Sequence, residues 1–175
     1  ALTGQITYAL RTLRYVSYPG VIEDCRILSS RLKERFGKEE LKQYSFTSLP
    51  RGGLIVLGIL SYLLELEPRQ LETPHSSDTP LVVVDDCAIS GLRFGDFRKT
   101  RNENEIIFAP LYSHPDLRTA IEATGPRVIG CVSAHDLSDF SHDFNCHTHP
   151  YEEVWQTRFG DGRRYWIGLP EYICF

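Results

Sequence analysis

Four apolar residues, Leu81-Val82-Val83-Val84, run straight into two adjacent carboxylates, Asp85-Asp86, and a Ser90-Gly91 pair follows. A short β-branched run of this kind suits a strand buried on both faces, which is the central strand of a parallel sheet with helices on either side. In such sheets ligands bind beyond the carboxyl ends of the strands. The spacing predicts a strand over 81–84, a loop over 85–91 and a helix opening near 91–100. Two carboxylates at a strand end can accept hydrogen bonds from vicinal hydroxyls or hold a hydrated Mg²⁺. A Ser-Gly turn entering a helix offers backbone N–H groups and a helix dipole that suit a phosphate. A solvated strand end with an N-cap is the plainer reading of two aspartates. The buried strand before them and Ser-Gly after them weigh against it.

The rest of the chain supplies the units such a sheet needs. Residues 21–36 place Val21, Ile22, Cys25, Leu28, Leu32 and Phe36 at helical spacing, with Gly37 as the stop. Residues 44–49 read as a strand, and Pro50-Arg51-Gly52-Gly53 as the turn that ends it. Residues 54–66 are almost wholly apolar, which predicts a buried helix closed by Pro68. Residues 67–79 are polar, hold Pro68 and Pro74, and read as loop. Strands over 105–111 and 127–133 flank a helix over 114–123. Strands alternating with helices define an α/β class with βαβ units.

Length bounds the answer to one domain. The 175 residues divide into a core of about 20–135 and an elaboration of about 138–175 rich in polar and aromatic residues. A formal charge of -4 leaves no basic footprint for nucleic acid. No apolar run reaches membrane-spanning length, and the first ten residues lack the order of a secretory signal. The five cysteines are scattered with no CxxC, as expected of free thiols in a reducing cytoplasm.

Residues 82–93, VVVDDCAISGLR, resemble the PRPP loop of type I phosphoribosyltransferases, and Leu49-Pro50-Arg51-Gly52-Gly53 is similar to that family's pyrophosphate loop. The two occur in the family's order, within a resemblance that spans about residues 44–133. The resemblance implies a parallel α/β core with a C-terminal hood. It implies that Asp85 and Asp86 hold the ribose hydroxyls and, with Mg²⁺, are the catalytic and metal-binding acids. Cys87, Ala88, Ile89, Ser90, Gly91, Leu92 and Arg93 would wrap the 5′-phosphate, while Arg51, Gly52 and Gly53 would receive pyrophosphate. The implied reaction displaces pyrophosphate at the anomeric carbon with a nitrogenous base, in a protein that is often a homodimer.

Two departures stand out. Cys87 replaces the usual aliphatic residue, and Arg93 takes the last hydroxyl position of the loop, where a guanidinium can still grip phosphate. The fourteen residues 67–80 also stand where catalytic members carry a further strand and a long lid. A non-catalytic PRPP or nucleotide sensor is therefore the alternative expectation, because a closing lid excludes water from transfer. Toward the C-terminus, His135, Asp136, His142, Asp143, Cys146, His147 and His149 cluster in sequence without the spacing of a standard zinc site, and a polar surface loop is expected. Trp166 and Ile167 look like hood residues that stack on the base, although aromatics here, Trp155 and Tyr165 included, are more often packing.

Overall fold

The computed structural model describes residues 7, 10–11, 13–71, 79–100, 105–123 and 127–138, together with the backbone of 173–174. Its elements in chain order are β1 (Arg14–Tyr15), α1 (Tyr18–Phe36), α2 (Lys38–Leu41), β2 (Ser45–Ser48), α3 (Gly52–Leu63) and α4 (Pro68–Leu71). Then follow β3 (Leu81–Ala88), α5 (Leu92–Lys99), β4 (Ile106–Ser113), α6 (Pro115–Ala123), β5 (Val128–Cys131), β6 (His135–Asp136) and β7 (Ile173–Cys174). The main sheet is parallel in the order β2-β3-β4-β5, and β6 continues along the end of β4. The α/β class with a parallel sheet between helices is therefore as the sequence implied.

The 81–84 run explains why both sheet faces are covered. Successive strand residues point to opposite faces. Val82 and Val84 pack with Cys25, Leu28 and Leu32 of α1 and with Val56 and Leu60 of α3. Leu81 and Val83 pack on the other side with Phe94 of α5 and with Leu117 and Ile121 of α6. Phe94 stacks on Phe108 of β4 at 4.2 Å between ring centroids. Helix α1 starts where Ser17 caps it, accepting from the Gly20 N–H at 3.3 Å, and Pro19 fits its first turn. Gly37 ends it at φ 83°, a conformation that favours glycine.

Three expectations need correction. Helix α3 is not buried all round: Val56 and Leu60 are buried, while Leu54, Ile55 and Tyr62 are exposed. A helix lying on one sheet face buries a single stripe, whatever its other positions carry. The polar connection is not all loop, because Pro68–Leu71 forms α4. Its Gln70 is buried and donates from Nε2 to the carbonyls of Leu41 and Tyr44, each at 2.9 Å, while Oε1 accepts the Glu67 N–H at 3.0 Å. Residues 85–88 are not loop either. They stay in β3, in register with β4 through Asp85↔Pro110, Cys87↔Tyr112 and Ala88↔Ser113. Strand β4 runs on to Ser113 fully buried, so its backbone supplies partners that a reading of β3 alone could not reveal. The elaboration after residue 138, with Trp155, Trp166, Ile167, His142, Cys146, His147 and His149, lies outside the described residues apart from β7.

Candidate functional site

The PRGG turn follows β2 directly, and β2 is the neighbour of β3. The turn therefore reaches the same end of the sheet as the acidic pair. Leu49 N–H bonds the Val84 carbonyl at 2.9 Å, which carries the pairing up to the turn. Arg51 then takes φ 74°, uncommon for a residue with a side chain, and starts α3. The next two residues show why they are glycines. A Cβ on Gly52 would fall 1.9 Å from Asp86 Oδ2, and one on Gly53 would fall 2.9 Å from the Val84 carbonyl oxygen. The two motifs that the sequence placed some thirty residues apart are thus pressed against each other, with the N-terminus of α3 against the Asp86 carboxylate.

The two acids are held differently. Asp86 is partly exposed, and its Oδ1 accepts the Cys87 N–H at 2.9 Å. Its position beside the first turn of α3 is one where a helix dipole favours negative charge. Asp85 is 1 % exposed, and its Oδ1 accepts the Asp86 N–H at 3.0 Å. Burial, then the neighbouring Asp86 carboxylate, push the Asp85 carboxyl up to about 8. Arg93 opposes that shift from 3.6 Å away, and lies 3.9 Å from Asp86 Oδ1. The same guanidinium donates from Nη2 to the Pro50 carbonyl, so Arg93 spans the acidic pair and the PRGG turn.

The remaining loop residues divide by depth. Ala88 and Gly91 are buried, Ile89 is exposed, and Ser90 and Leu92 lie between. Gly91 takes φ 71° immediately before α5. Burial raises the Cys87 thiol to about 12, so it stays protonated near neutral pH and is no nucleophile. Beside Asp86 opens a cavity of about 240 Å³ between Tyr15, Tyr18 and Val21 on one side and Gly52, Val56 and Asp86 on the other. Nothing in the sequence singled out Tyr15 and Tyr18, because a tyrosine pair ahead of a helix carries no chemical signature. The Pro50 carbonyl was equally invisible, since a backbone acceptor gains meaning only from what reaches it.

Of the histidine and acid cluster, His135 and Asp136 fall among the described residues, and both bond elsewhere. Arg118 donates to Asp136 Oδ1 at 2.6 Å. His135 Nε2 lies 2.6 Å from Oδ1 of the buried Asp24, whose Oδ2 accepts the Tyr112 hydroxyl at 2.5 Å. The His135 ring stacks on Tyr112 at 5.1 Å between centroids, and the Arg14 guanidinium lies 5.5 Å from the centroid of the Tyr112 ring. Among the described residues no group of three or more His, Cys, Asp or Glu could hold a metal ion. No described helix is long and apolar enough to cross a membrane.

Solved structures with a similar course of chain include the Helicobacter pylori xanthine-guanine-hypoxanthine phosphoribosyltransferase. The TM-score is 0.49 at 16% identity, covering 78% of this chain and 99% of that one. A hypoxanthine-guanine-xanthine phosphoribosyltransferase aligns at a TM-score of 0.42 and 14% identity, over 67% of this chain and 76% of its own. No protein-family model matches the chain, and no curated protein matches its sequence. At such identities likeness concerns the fold alone, and a functional reading rests on the geometry of the site.

Proposed function

We propose that the chain is a phosphoribosyltransferase-type protein that binds PRPP or ribose 5-phosphate with Mg²⁺ and transfers the phosphoribosyl group to a nitrogenous base, releasing pyrophosphate. The observation that carries this reading is the contact of the PRGG turn with the acidic pair. Gly52 meets Asp86, and Gly53 meets the backbone of Val84 and Asp85. A turn that ends in a helix N-terminus suits a pyrophosphate, and carboxylates beside it suit vicinal hydroxyls. A purely structural strand end has no need of both.

In this reading Asp85 and Asp86 accept hydrogen bonds from the ribose hydroxyls. Residues 51–53 take the pyrophosphate, and residues 87–93 take the 5′-phosphate, with Arg93 as its cationic partner. The anomeric C–O bond breaks with its electron pair leaving on pyrophosphate, and a C–N bond forms to the base. The second acid, Asp86, steadies the positive charge that develops at the anomeric carbon. Asp86, partly exposed, and Asp85 beside it offer hard oxygens that fit a hydrated Mg²⁺ held through water. When bound, Mg²⁺ offsets the charge of the leaving pyrophosphate. Trp166 and Ile167 are kept as the proposed base-stacking residues, and a cytoplasmic homodimer as the proposed setting.

One observation favours a second reading, a PRPP or nucleotide sensor that does not transfer. The first part of the short connection before β3 is pinned by Gln70 to Leu41 and Tyr44, so α4 is tied to the fold and not free to close over a ligand. A thermal-shift measurement tests what both readings share. PRPP with Mg²⁺ raises the melting temperature of the parent, and Asp85→Asn combined with Asp86→Asn abolishes the rise. An unmoved parent would sink the sugar-phosphate assignment. Pyrophosphate release across a panel of bases then divides the readings: release dependent on one base marks a transferase, and binding without release marks a sensor.

A further inference from the structure

We infer that Arg93 is the resident counter-cation of the acidic pair, and that a sugar phosphate must draw it away before the pair can hold a divalent cation. The inference rests on the sugar-phosphate reading and adds an order to it: phosphate first, metal second. The guanidinium lies 3.6 Å from Asp85 Oδ1 and 3.9 Å from Asp86 Oδ1. Its Nη2 also donates to the Pro50 carbonyl, so it stands in the mouth between the two motifs. A divalent cation approaching the carboxylates meets this positive charge.

Arg93 is held loosely enough to move. Its side chain is 49 % exposed, and neither carboxylate contact is short enough for a direct hydrogen bond. It is the second residue of α5, immediately after the Ser90-Gly91 turn, where the phosphate of the proposed ligand would sit. A phosphate carries more charge than the share of carboxylate that Arg93 now faces, and it accepts the guanidinium fork bidentately. Turning toward it leaves Asp85 and Asp86 without their cation. The carboxyl oxygens of Asp85 and Asp86, no longer faced by a cation, are then open to a hard divalent ion. Binding free energies are reciprocal, so the metal tightens the sugar phosphate by the same factor.

The probe is Mn²⁺, which takes the same oxygen ligands as Mg²⁺ and reports its bound fraction by electron paramagnetic resonance. Binding is titrated to the whole chain with and without ribose 5-phosphate, after subtracting the metal held by free sugar phosphate. In the parent, ribose 5-phosphate tightens Mn²⁺ on the order of tenfold, within the range that coupled sites span. Arg93→Ala and Arg93→Gln bind Mn²⁺ alone as tightly as the parent does with sugar phosphate, and the coupling disappears. The glutamine variant keeps a donor for the Pro50 carbonyl, so a local collapse in the alanine variant does not decide the result. Arg93→Lys keeps the charge and restores weak binding of the metal alone. If both uncharged variants bind Mn²⁺ alone no better than the parent, the counter-cation role is wrong, while ribose 5-phosphate binding by the parent leaves the wider reading standing. If the parent binds no ribose 5-phosphate, the wider reading falls and takes this inference with it.

Discussion

The chain buries two aspartates near the carboxyl end of the sheet and treats them in opposite ways. Asp24 has both oxygens engaged, one by the Tyr112 hydroxyl at 2.5 Å and the other by His135 Nε2 at 2.6 Å. Asp85 is more deeply buried, at 1 % exposure against 6 %, yet its cation stands off at 3.6 Å and its neighbour is another acid. A buried charge without a close counter-charge is costly, and a carboxyl so placed takes up a proton instead. Asp24 is therefore an element of the fold, whereas Asp85 accepts a backbone hydrogen bond but has no close counter-charge among the described residues, as groups at ligand sites often do. Burial alone distinguishes nothing between them; the partners do.

The largest effect follows from that shortage. The folded state holds a proton on Asp85 up to about pH 8, while the unfolded chain releases it near 3.8. Between those values the native state binds more protons than the unfolded one, so stability falls as pH rises and levels off above about 8. The contribution lost across the whole window is on the order of 6 kcal/mol. Asp85→Asn keeps the shape and removes the titration. Denaturant melts from pH 5 to 9 would show the parent losing stability relative to this variant across that window. Parallel curves would mean that Asp85 is ionised in the fold, and the contrast with Asp24 would collapse.

Asp24→Ala probes the other side. It removes the carboxylate that the Tyr112 hydroxyl and the His135 ring nitrogen share, at a cost of about 3 kcal/mol. Asp24→Asn retains one acceptor and costs less. The midpoint of urea unfolding measures both. If Asp24→Ala proved as mild as a surface change, the Asp24 cluster would have to be assigned a role other than stability.

The contrast also marks where sequence reading stops. The buried strand and its following acids were legible, because a β-branched run against two carboxylates is a local pattern. So were the helix over residues 21–36 and the turn at Arg51-Gly52-Gly53. The partnership of Asp24 was not legible, since Tyr112 and His135 lie 88 and 111 residues away. The sequence pattern ends β3 too early because pairing depends on β4, and aspartates in a ladder look like a strand end when read alone. The apolar run in α3 suggested full burial because composition cannot say how many neighbours a helix has. From sequence alone Arg93 reads as a phosphate ligand. Its reach to Pro50 and to both acids needed coordinates.

Gly52 and Gly53 separate stability from binding on a finer scale. A methyl group at Gly53 meets the Val84 carbonyl oxygen at 2.9 Å and the Asp85 Cα at 3.3 Å. Both belong to the backbone of a central strand, which cannot yield, so Gly53→Ala destabilises by about 2 kcal/mol. A methyl group at Gly52 meets the Asp86 carboxylate first, at 1.9 Å from Oδ2, and that carboxylate can rotate, although its own Cβ at 2.9 Å limits the relief. Gly52→Ala therefore costs the smaller amount of stability, about 1 kcal/mol. Its larger consequence is that Asp86 leaves the helix N-terminus and no longer stands beside Asp85. Calorimetry with ribose 5-phosphate and Mg²⁺ would show binding lost more severely in Gly52→Ala than its melting temperature implies. If the two variants instead lost stability and binding in the same proportion, the contact between Gly52 and Asp86 would be ordinary packing, and the acidic pair would owe its arrangement to β3 alone.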